Sequence, residues 1–382
     1  MPSPIVDAEL SFNSFENESC LSIDLLSDYI TRNFIPVKKI RHIRNGSHYT
    51  LEVNQEYIVR ISRIEEIGYV GEYKAKSEFI QRRNSKYLSE IKVSNSIFSF
   101  LLKSYQKMKL EYSLSTNYLY SGMYDCNVIG IYKKVDGDIL DPRRGDEYRK
   151  LMERKGFCPE KFGFDFSRFL TELHSIDAFD CGFLDENMFD SIRAKKQNKQ
   201  PKTIYNMNRC IEYIKTKDSG DWIGLLRARN LNDLISVCEK SVHFFNKNCN
   251  LNKLVMIHAA IECSHLLTDG KIFSGVIDWE HVDSSQVGWV DVSDFFLNFI
   301  LTSDSYEISS IIWKSFISNY KCSSRNGLLN EEEIHHIITL ALIKYYVRFT
   351  NDYMKDGVSK KGKSRRVLKI SNILEIYNQY GL

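Results

Sequence analysis

The stretch "VMIHAAIECSHLLTDGKIFSGVIDWEHV", residues 255–282, sets a polar loop between two apolar runs. The first run ends in His258, and the second presents Asp278 directly after its last two apolar residues. The tripeptide "TDG" between the runs predicts a tight turn. His258, His265 and Asp278 are therefore expected at the ends of buried strands that face a common loop, where polar groups are well suited to hold a metal ion. The alternative is an ordinary β-hairpin with an incidental acidic residue.

The composition is that of a folded globular protein. The chain has 382 residues, of which 43% are hydrophobic and 26% charged, and its formal net charge is +3. The length predicts one large domain or two lobes, and the small charge gives no global argument for a nucleic acid or a membrane surface as partner. Nine irregularly spaced cysteines without a Cys-x-x-Cys pair argue against a disulfide framework and a structural zinc site. The chain has neither a signal-peptide pattern nor an apolar run of membrane-spanning length, so we expect a cytoplasmic protein.

The pattern of apolar residues changes along the chain. After a polar N-terminal segment (1–20), the predicted elements are a helix over 21–34, three short strands over 37–62, a helix over 69–88, and strands over 93–106 and 126–140. Beyond Gly137, helices are predicted over 162–176, 208–215, 230–248, 307–321 and 330–355. The expected fold class is α+β, with a small β-rich N-lobe over 21–135 and a larger, mostly helical C-lobe over 136–382.

The central stretch resembles the core of the aminoglycoside phosphotransferase family, whose members are relatives of the protein kinases. The family motif is His-x-Asp-x-x-x-x-Asn, then a strand, then Ile-Asp-Trp or Ile-Asp-Phe. His258 matches the His, His265 lies at the Asn position, and "VIDW" places Asp278 at the metal-holding Asp. The resemblance implies a protein-kinase-like fold with His265 and Asp278 as Mg²⁺ ligands. In "WVDVSDFF" it implies that Asp294, or in second place Asp291, braces the catalytic loop.

A nucleotide-binding part is implied by "IRNGSHYTLEVNQEYIVRIS", which resembles the family's nucleotide loop and flanking strands. The residues implied to lie over the phosphates are Asn45, Gly46 and Ser47. Arg60 stands in the place of the strand-three lysine that holds the α- and β-phosphates, and its planar, charged fork suits phosphate. Glu78, with Glu72 as the alternative, would orient Arg60. A surface ion pair is the other interpretation of Arg60 and Glu78.

Two further stretches match the family in the same order. "IYKKVDGDIL", residues 131–140, resembles the hinge between the lobes, so backbone groups near Tyr132 and Lys133 would bind the purine of ATP or GTP. "FLTELHSID" resembles the helix beneath the catalytic loop, and we expect its His174 to be a buried structural residue and not a ligand.

The position of the family's catalytic aspartate is Ala260, two residues after His258. In the family this aspartate accepts the proton of the acceptor hydroxyl, and losing such a base typically lowers the rate about 10²- to 10⁴-fold. The leading interpretation is a kinase silenced by an Asp-to-Ala change. The alternatives are a natural pseudokinase that binds nucleotide as a switch, and transfer by another route with Glu262 or a substrate group as base. We expect Glu262, two residues further along a fixed loop, to point elsewhere.

The acceptor implied by the resemblance is a small hydroxylated molecule, with aminoglycoside and macrolide antibiotics as the family's commonest substrates. Candidate acids that favour a cationic aminoglycoside are Asp185, Glu186 and Asp190, whereas residues 193–202 are basic. A sugar, an amino alcohol or another metabolite stays open, as does a monomeric or dimeric state.

A basic run over 355–369 predicts a solvated loop between helices. RNA is the less favoured alternative partner of this run. The corresponding alternative function is a kinase that acts on an RNA or protein acceptor. Its clustered basic residues are Lys360, Lys361, Lys363, Arg365, Arg366 and Lys369.

Overall fold

The chain divides into two compact units. The N-terminal unit comprises Met1–Asp136 and Val276–Glu280, and the C-terminal unit comprises Gly137–Gly275 and His281–Leu382. The computed structural model describes residues 22–45, 48–62, 73–108, 117–124, 127–135, 137–140, 153, 156–178, 208, 211–212, 228–248, 254–279, 282–285, 288–301, 303, 305–322 and 327–354. The predictions for the polar segment 1–20, for the acids Asp185, Glu186 and Asp190, and for the basic stretches 193–202 and 355–369 fall outside these residues.

A five-stranded antiparallel sheet forms the N-terminal unit. Its strands are β1 (Ile40–Asn45), β2 (His48–Val53), β3 (Tyr57–Ser62), β4 (Tyr118–Tyr124) and β5 (Asn127–Lys133). They are ordered β1-β2-β3-β5-β4, so β3 is the central strand. Arg60 of β3 lies opposite Thr50 of β2 and Gly130 of β5, which places its backbone in the middle of the sheet.

The two faces of this sheet are covered by different helices, α1 (Ile23–Asn33) and α2 (Tyr73–Met108). Ile30 of α1 packs in one cluster with Val59, whereas Ile91 of α2 packs in another cluster with Ile58. Successive strand residues point to opposite faces, so neighbouring positions of β3 meet different helices. Between Ile58 and Ile61 the central strand is therefore apolar on both faces except at Arg60.

The predicted strand over 93–106 is wrong, because these residues belong to α2. Buried side chains occur at Tyr87 and Ile91, and again at Ile97 and Leu101, and each of these pairs is spaced by four residues. That interval places them on one face of a helix. The apolar, partly β-branched and aromatic composition of the stretch favoured a strand, and packing against the sheet outweighed that weak preference.

The C-terminal unit is mostly helical. Its helices are α3 (Pro159–Leu173), α4 (Ala228–Asn248), α5 (Trp289–Phe295), α6 (Tyr306–Ile317) and α7 (Glu331–Met354), and a π-helical segment (Phe296–Leu301) continues α5. The short strands that follow β5 are β6 (Asp138–Ile139), β7 (Val255–Ile257), β8 (Leu266–Thr268), β9 (Phe273–Val276), β10 (Asp283–Ser285), β11 (Lys321–Cys322) and β12 (Gly327–Leu328). Over the described residues they form the small sheets β6-β8-β9, β7-β10 and β11-β12.

An aromatic core holds α3, α5 and α6 together. The ring centroid of Phe166 lies 4.7 Å from that of Phe295 and 5.6 Å from that of Phe316. Gly163 permits the close approach of α3 to α6, because a Cβ at this position would collide with the carbonyl oxygen of Ile312. Together the sheet-based and helical units confirm the expected α+β class. In the described part of the chain, every helix falls short of the length and apolarity that crossing a membrane requires.

Candidate active site

Arg60 is a buried cation held by several polar groups. Its Nη1 donates to Glu90 Oε1 at 2.9 Å and to Tyr118 Oη at 3.4 Å, and its Nη2 lies 3.0 Å from His48 Nδ1. A guanidinium group only donates, so Nδ1 of His48 must accept this hydrogen bond. His48 is therefore neutral in this arrangement, with its proton on Nε2.

Glu90, and not the expected Glu78, is the glutamate of α2 that pairs with Arg60. The side chains of Arg60 and Glu90 are 9% and 4% exposed, so the pair lies inside the N-terminal unit and not at its surface. Glu78 and Glu90 are both on α2, but the roughly 12 residues between them span about 18 Å of helix, so one cannot replace the other at Arg60. The side chain of Glu78, and Glu72 as a whole, lie outside the described residues.

Tyrosines complete the surroundings of Arg60. Burial raises the pKa of Tyr118 well above its ordinary value and raises the pKa of Tyr132 to about 12. Burial by itself would lower the pKa of Arg60, but the nearby Tyr118 and Glu90 raise it well above the ordinary value. Arg60 is therefore a permanent positive charge beside neutral phenols and the carboxylate of Glu90.

Asp278 belongs to the same compact unit as Arg60, although it lies far away in the sequence. Its Oδ1 is 3.5 Å from Nη2 of Arg60, and its side chain is 32% exposed. The φ of Asp278 is 67°, a left-handed conformation that non-glycine residues rarely adopt. Such strain is concentrated at functional sites, where the surrounding structure enforces it.

The implied nucleotide loop is only partly described. Gly46 and Ser47 lie outside the described residues, and Asn45 is described through its backbone at the end of β1, opposite Tyr49. Their predicted contacts with phosphate stay a prediction.

Tyr132 and Lys133, the residues implied to form the hinge, are the last two of β5. Tyr132 is paired with both neighbouring strands, opposite Ile58 of β3 and Tyr118 of β4. Since β4 begins at Tyr118, the described pairing of Lys133 is with β3 alone. The side of Lys133 that faces away from β3 is thus the better candidate for a backbone contact with a purine.

In the C-terminal unit, Asp291 braces the loop over residues 258–265. It is fully buried in the first turn of α5 and accepts hydrogen bonds from the backbone N–H groups of His258 at 2.7 Å and Ala259 at 2.8 Å. Burial raises the pKa of Asp291, but the hydrogen bond from His174 and the adjacent His258 bring it below the usual range. Ala259 has a φ of 62°, so Asp291 stabilises a strained turn in the 258–265 loop.

Asp294, the first choice for this bracing role, is placed differently. Its carboxylate lies 2.7 Å from Nζ of Lys344 on α7. Asp291 and Asp294 are one helical turn apart, and the hydrogen bonds from the N–H groups of His258 and Ala259 go to Asp291. The second choice, Asp291, is therefore the residue that contacts the loop.

His174 is a buried structural residue, as predicted. It follows α3, its Nε2 lies 3.0 Å from Asp291 Oδ2, and its Nδ1 lies 2.8 Å from Tyr320 Oη. Gly288 leaves room for the imidazole, because a Cβ there would overlap the ring. The ring orients Asp291, which in turn orients the 258–265 loop.

His265, at the end of the same loop, makes a side-chain hydrogen bond back to Ala260. Its Nδ1 lies 2.7 Å from the carbonyl oxygen of Ala260, which can only accept, so Nδ1 carries a proton. In the neutral ring Nε2 is then the nitrogen that can accept a hydrogen bond or bind a metal. Over the described residues, no group of three or more His, Cys, Asp or Glu side chains is arranged to hold a metal ion.

Asn298 is a loop contact that the sequence did not reveal. It lies in the π-helical segment, and its Nδ2 donates to the carbonyl oxygen of Ile261 at 2.8 Å. The thiol of Cys263 donates to the carbonyl oxygen of Asn298 at 2.6 Å. Asn298 is buried in an apolar run, and an unpaired amide there would be destabilising, which is the one signal that could have indicated a partner.

Comparison with solved structures identifies this architecture. An aminoglycoside phosphotransferase from Alicyclobacillus acidocaldarius superposes with a TM-score of 0.51 and 9% sequence identity, covering 95% of each chain. The chain has the fold of an aminoglycoside phosphotransferase. The kinase-like fold that the motifs predicted is thereby confirmed, and at this identity the likeness concerns the fold alone.

Two further solved structures are similar to this chain. The macrolide 2'-phosphotransferase MphH from Brachybacterium faecium has a TM-score of 0.48 at 10% identity, covering 91% of this chain and 97% of its own. The ethanolamine kinase of Plasmodium vivax has a TM-score of 0.46 at 13% identity, covering 94% and 86%. No family model and no curated protein sequence matches the chain.

Proposed function

We propose that this chain is a small-molecule kinase, which transfers the γ-phosphoryl group of ATP or GTP to a hydroxyl oxygen of its acceptor. The observation that carries the proposal is the pairing of Arg60 on β3 with Glu90 on α2, the helix that follows β3. Kinases hold the phosphates of the nucleotide with a strand-three cation that a helix glutamate positions. Arg60 also lies beside Asp278, the aspartate that the motif assigns to the metal.

The residues present fit a magnesium ion. Mg²⁺ prefers carboxylate oxygens and usually keeps several waters while it binds one or two carboxylates and the phosphates of a substrate. Asp278 supplies such a carboxylate, and its left-handed backbone is of the kind held in place at a functional site. His265 is the second candidate, through Nε2. When bound, the ion would neutralise negative charge on the phosphates.

Each remaining residue would have a positioning role. Arg60 would attract the α- and β-phosphates, while Glu90 and His48 hold its guanidinium in one orientation. The backbone near Tyr132 and Lys133 would bind the purine, and the turn over Asn45, Gly46 and Ser47 would cover the phosphates. His174, Asp291 and Asn298 keep the 258–265 loop rigid, so an acceptor hydroxyl would meet a fixed surface.

Ala260 lowers the expected activity. A methyl group cannot accept a proton, so the chain in its present form would be a strongly impaired kinase, consistent with an Asp-to-Ala silenced enzyme. The second candidate function, a pseudokinase that binds nucleotide as a switch, is supported by Ala260 together with the complete Arg60–Glu90 pair. The acceptor would be a small hydroxylated molecule, with an aminoglycoside or a macrolide as the first compounds to assay.

The test measures binding of fluorescent ATP and GTP analogues with and without Mg²⁺. We expect Mg²⁺ to strengthen binding, and Asp278→Asn to weaken binding in Mg²⁺ at least about tenfold, because one charged ligand is lost. Asp28→Asn, which alters an exposed acid of α1 in the same unit, is the matched control and leaves binding unchanged.

Ala260→Asp then separates the two functions. In a silenced kinase this change raises phosphate transfer to an antibiotic panel by about 10²- to 10⁴-fold. A pseudokinase binds nucleotide equally well in both forms and transfers phosphate in neither. Absence of nucleotide binding in both forms would contradict the kinase proposal itself.

A further inference from the structure

The backbone of the 258–265 loop is anchored at nearly every residue. Asp291 binds the two N–H groups at its start, His265 Nδ1 donates to the carbonyl of Ala260, and Asn298 Nδ2 donates to the carbonyl of Ile261. The N–H of His265 also donates to the carbonyl of Glu262 at 2.9 Å. The directions in which its side chains leave the loop are therefore set by these contacts.

Burial alternates along the middle of this loop. Ile261 and Cys263 are fully buried, whereas Ala260 and Glu262 are half-buried. The backbone at Glu262 is extended, with φ of −110° and ψ of 157°. In extended backbone, side chains two residues apart point to the same side, and their Cβ atoms are about 7 Å apart. Together with the alternation in burial, this indicates that Glu262 lies on the less buried side of the loop, as Ala260 does.

We infer that Glu262 is the residual general base of this chain, which supports the low activity that remains without an aspartate at position 260. The inference rests on the proposed kinase function. A glutamate is one methylene longer than an aspartate, and that extra length favours reaching back along the loop toward the space that an aspartate carboxylate at position 260 would fill. Ala260 itself places only a methyl group on that side of the loop.

The proposed step is balanced as an ordinary phosphoryl transfer. The acceptor oxygen forms a bond to the γ-phosphorus of the Mg-nucleotide while the bond from that phosphorus to the β,γ-bridging oxygen breaks. The nucleoside diphosphate leaves with the electron pair of the broken bond. The proton of the acceptor hydroxyl moves to a carboxylate oxygen of Glu262 and is later released to water.

The test uses water as the acceptor, so it does not require the natural substrate. Hydrolysis of Mg-ATP and Mg-GTP is measured for the present chain, Glu262→Gln, Ala260→Asp and the double variant. We expect Glu262→Gln to lower hydrolysis about 10²-fold when residue 260 is Ala. The loss is expected to be at least tenfold smaller when residue 260 is Asp, since Asp then takes the proton. Glu307→Gln, an exposed glutamate of α6, is the control and leaves hydrolysis unchanged.

Two results would overturn the role of Glu262. Equal losses on Glu262→Gln with alanine and with aspartate at position 260 would show that Glu262 only supports the loop. If hydrolysis requires the Ala260→Asp change and is unaffected by Glu262→Gln, Glu262 takes no proton. The same conclusion follows if all four proteins bind nucleotide without hydrolysing it. Failure of all four variants to bind Mg-nucleotide would instead overturn the proposed function, so the two failures are distinguishable.

Discussion

At the scale of one residue, hydrogen bonds stabilise the buried charge of Arg60 in the N-terminal unit. A guanidinium withdrawn from water needs hydrogen-bond partners for its N–H groups, and Glu90, His48 and Tyr118 are three of them. Removing one partner of a buried pair leaves the other charge uncompensated, which is strongly destabilising. The side chains around Arg60 thus determine both the stability of the unit and the direction in which the cation points.

Glu90→Gln is expected to lower the thermal stability markedly, because it removes the charge that compensates Arg60. The loss should correspond to about 3 to 5 kcal/mol, as for other broken buried ion pairs. Differential scanning fluorimetry checks this, with Lys92→Gln at an exposed position of α2 as the control. A larger loss in Glu78→Gln than in Glu90→Gln would restore the original assignment of Glu78.

Asp291 and Asp294 offer a comparison one helical turn apart. Asp291→Asn turns an acceptor toward two backbone N–H groups into a partial donor, so we expect a loss of about 3 kcal/mol or more in the free energy of unfolding. Asp294→Asn removes a partly exposed ion pair with Lys344, for which about 1 kcal/mol or less is typical. Urea denaturation of both variants measures the difference, and equal losses would contradict the bracing role of Asp291.

At the scale of single elements, the contact between α4 and α7 contains a histidine that resists protonation. His336 of α7 accepts or donates a hydrogen bond of 2.7 Å with Ser241 of α4, and its ring centroid lies 4.1 Å from that of Phe244. Burial, followed by the proximity of His335, lowers the pKa of His336 from 6.5 to about 4. The contact between α4 and α7 is consequently expected to weaken when His336 is protonated at low pH.

The pH dependence of stability follows from that shift. Between about pH 6.5 and about pH 4 the unfolded chain binds a proton at His336 that the folded chain does not, so stability is present above this window and decreases as the pH falls through it. We expect His336→Gln to flatten the dependence of the denaturation midpoint between about pH 7.5 and about pH 5, whereas His243→Gln at an exposed position of α4 does not. Identical pH profiles for the chain and His336→Gln would exclude this source.

Local patterns predicted some elements and not others. The hairpins of β1, β2 and β3 were predictable, because apolar residues and turn residues determine them locally. The second half of α2 was not, because its composition suits a strand and only contact with the sheet selects a helix. The π-helical segment that carries Asn298 likewise has no sequence period of its own, so the brace it provides to the 258–265 loop could not be found in advance.

Over the whole molecule, the candidate residues are divided between two compact units. The N-terminal unit contains Arg60 and Asp278, because Val276–Glu280 belongs to it and not to the unit that surrounds it in sequence. The resemblance named Arg60, Asp278 and the 258–265 loop as candidates, because each lies in a stretch that resembles a family motif. Glu90 was missed, and Asp291 was placed second to Asp294. Tertiary contacts decide which of several acids meets a given partner, and local spacing does not encode them.

The arginine of β3 also changes how the protein responds to chemical labelling. Nucleotide-like reagents that acylate a primary amine at this position of a kinase require a lysine with a reactive lone pair. A guanidinium remains protonated throughout the accessible pH range and offers no such nucleophile. Amine acylation at this strand would find no amine to modify at Arg60, so nucleotide binding at the proposed site has to be followed by a reagent that does not depend on one.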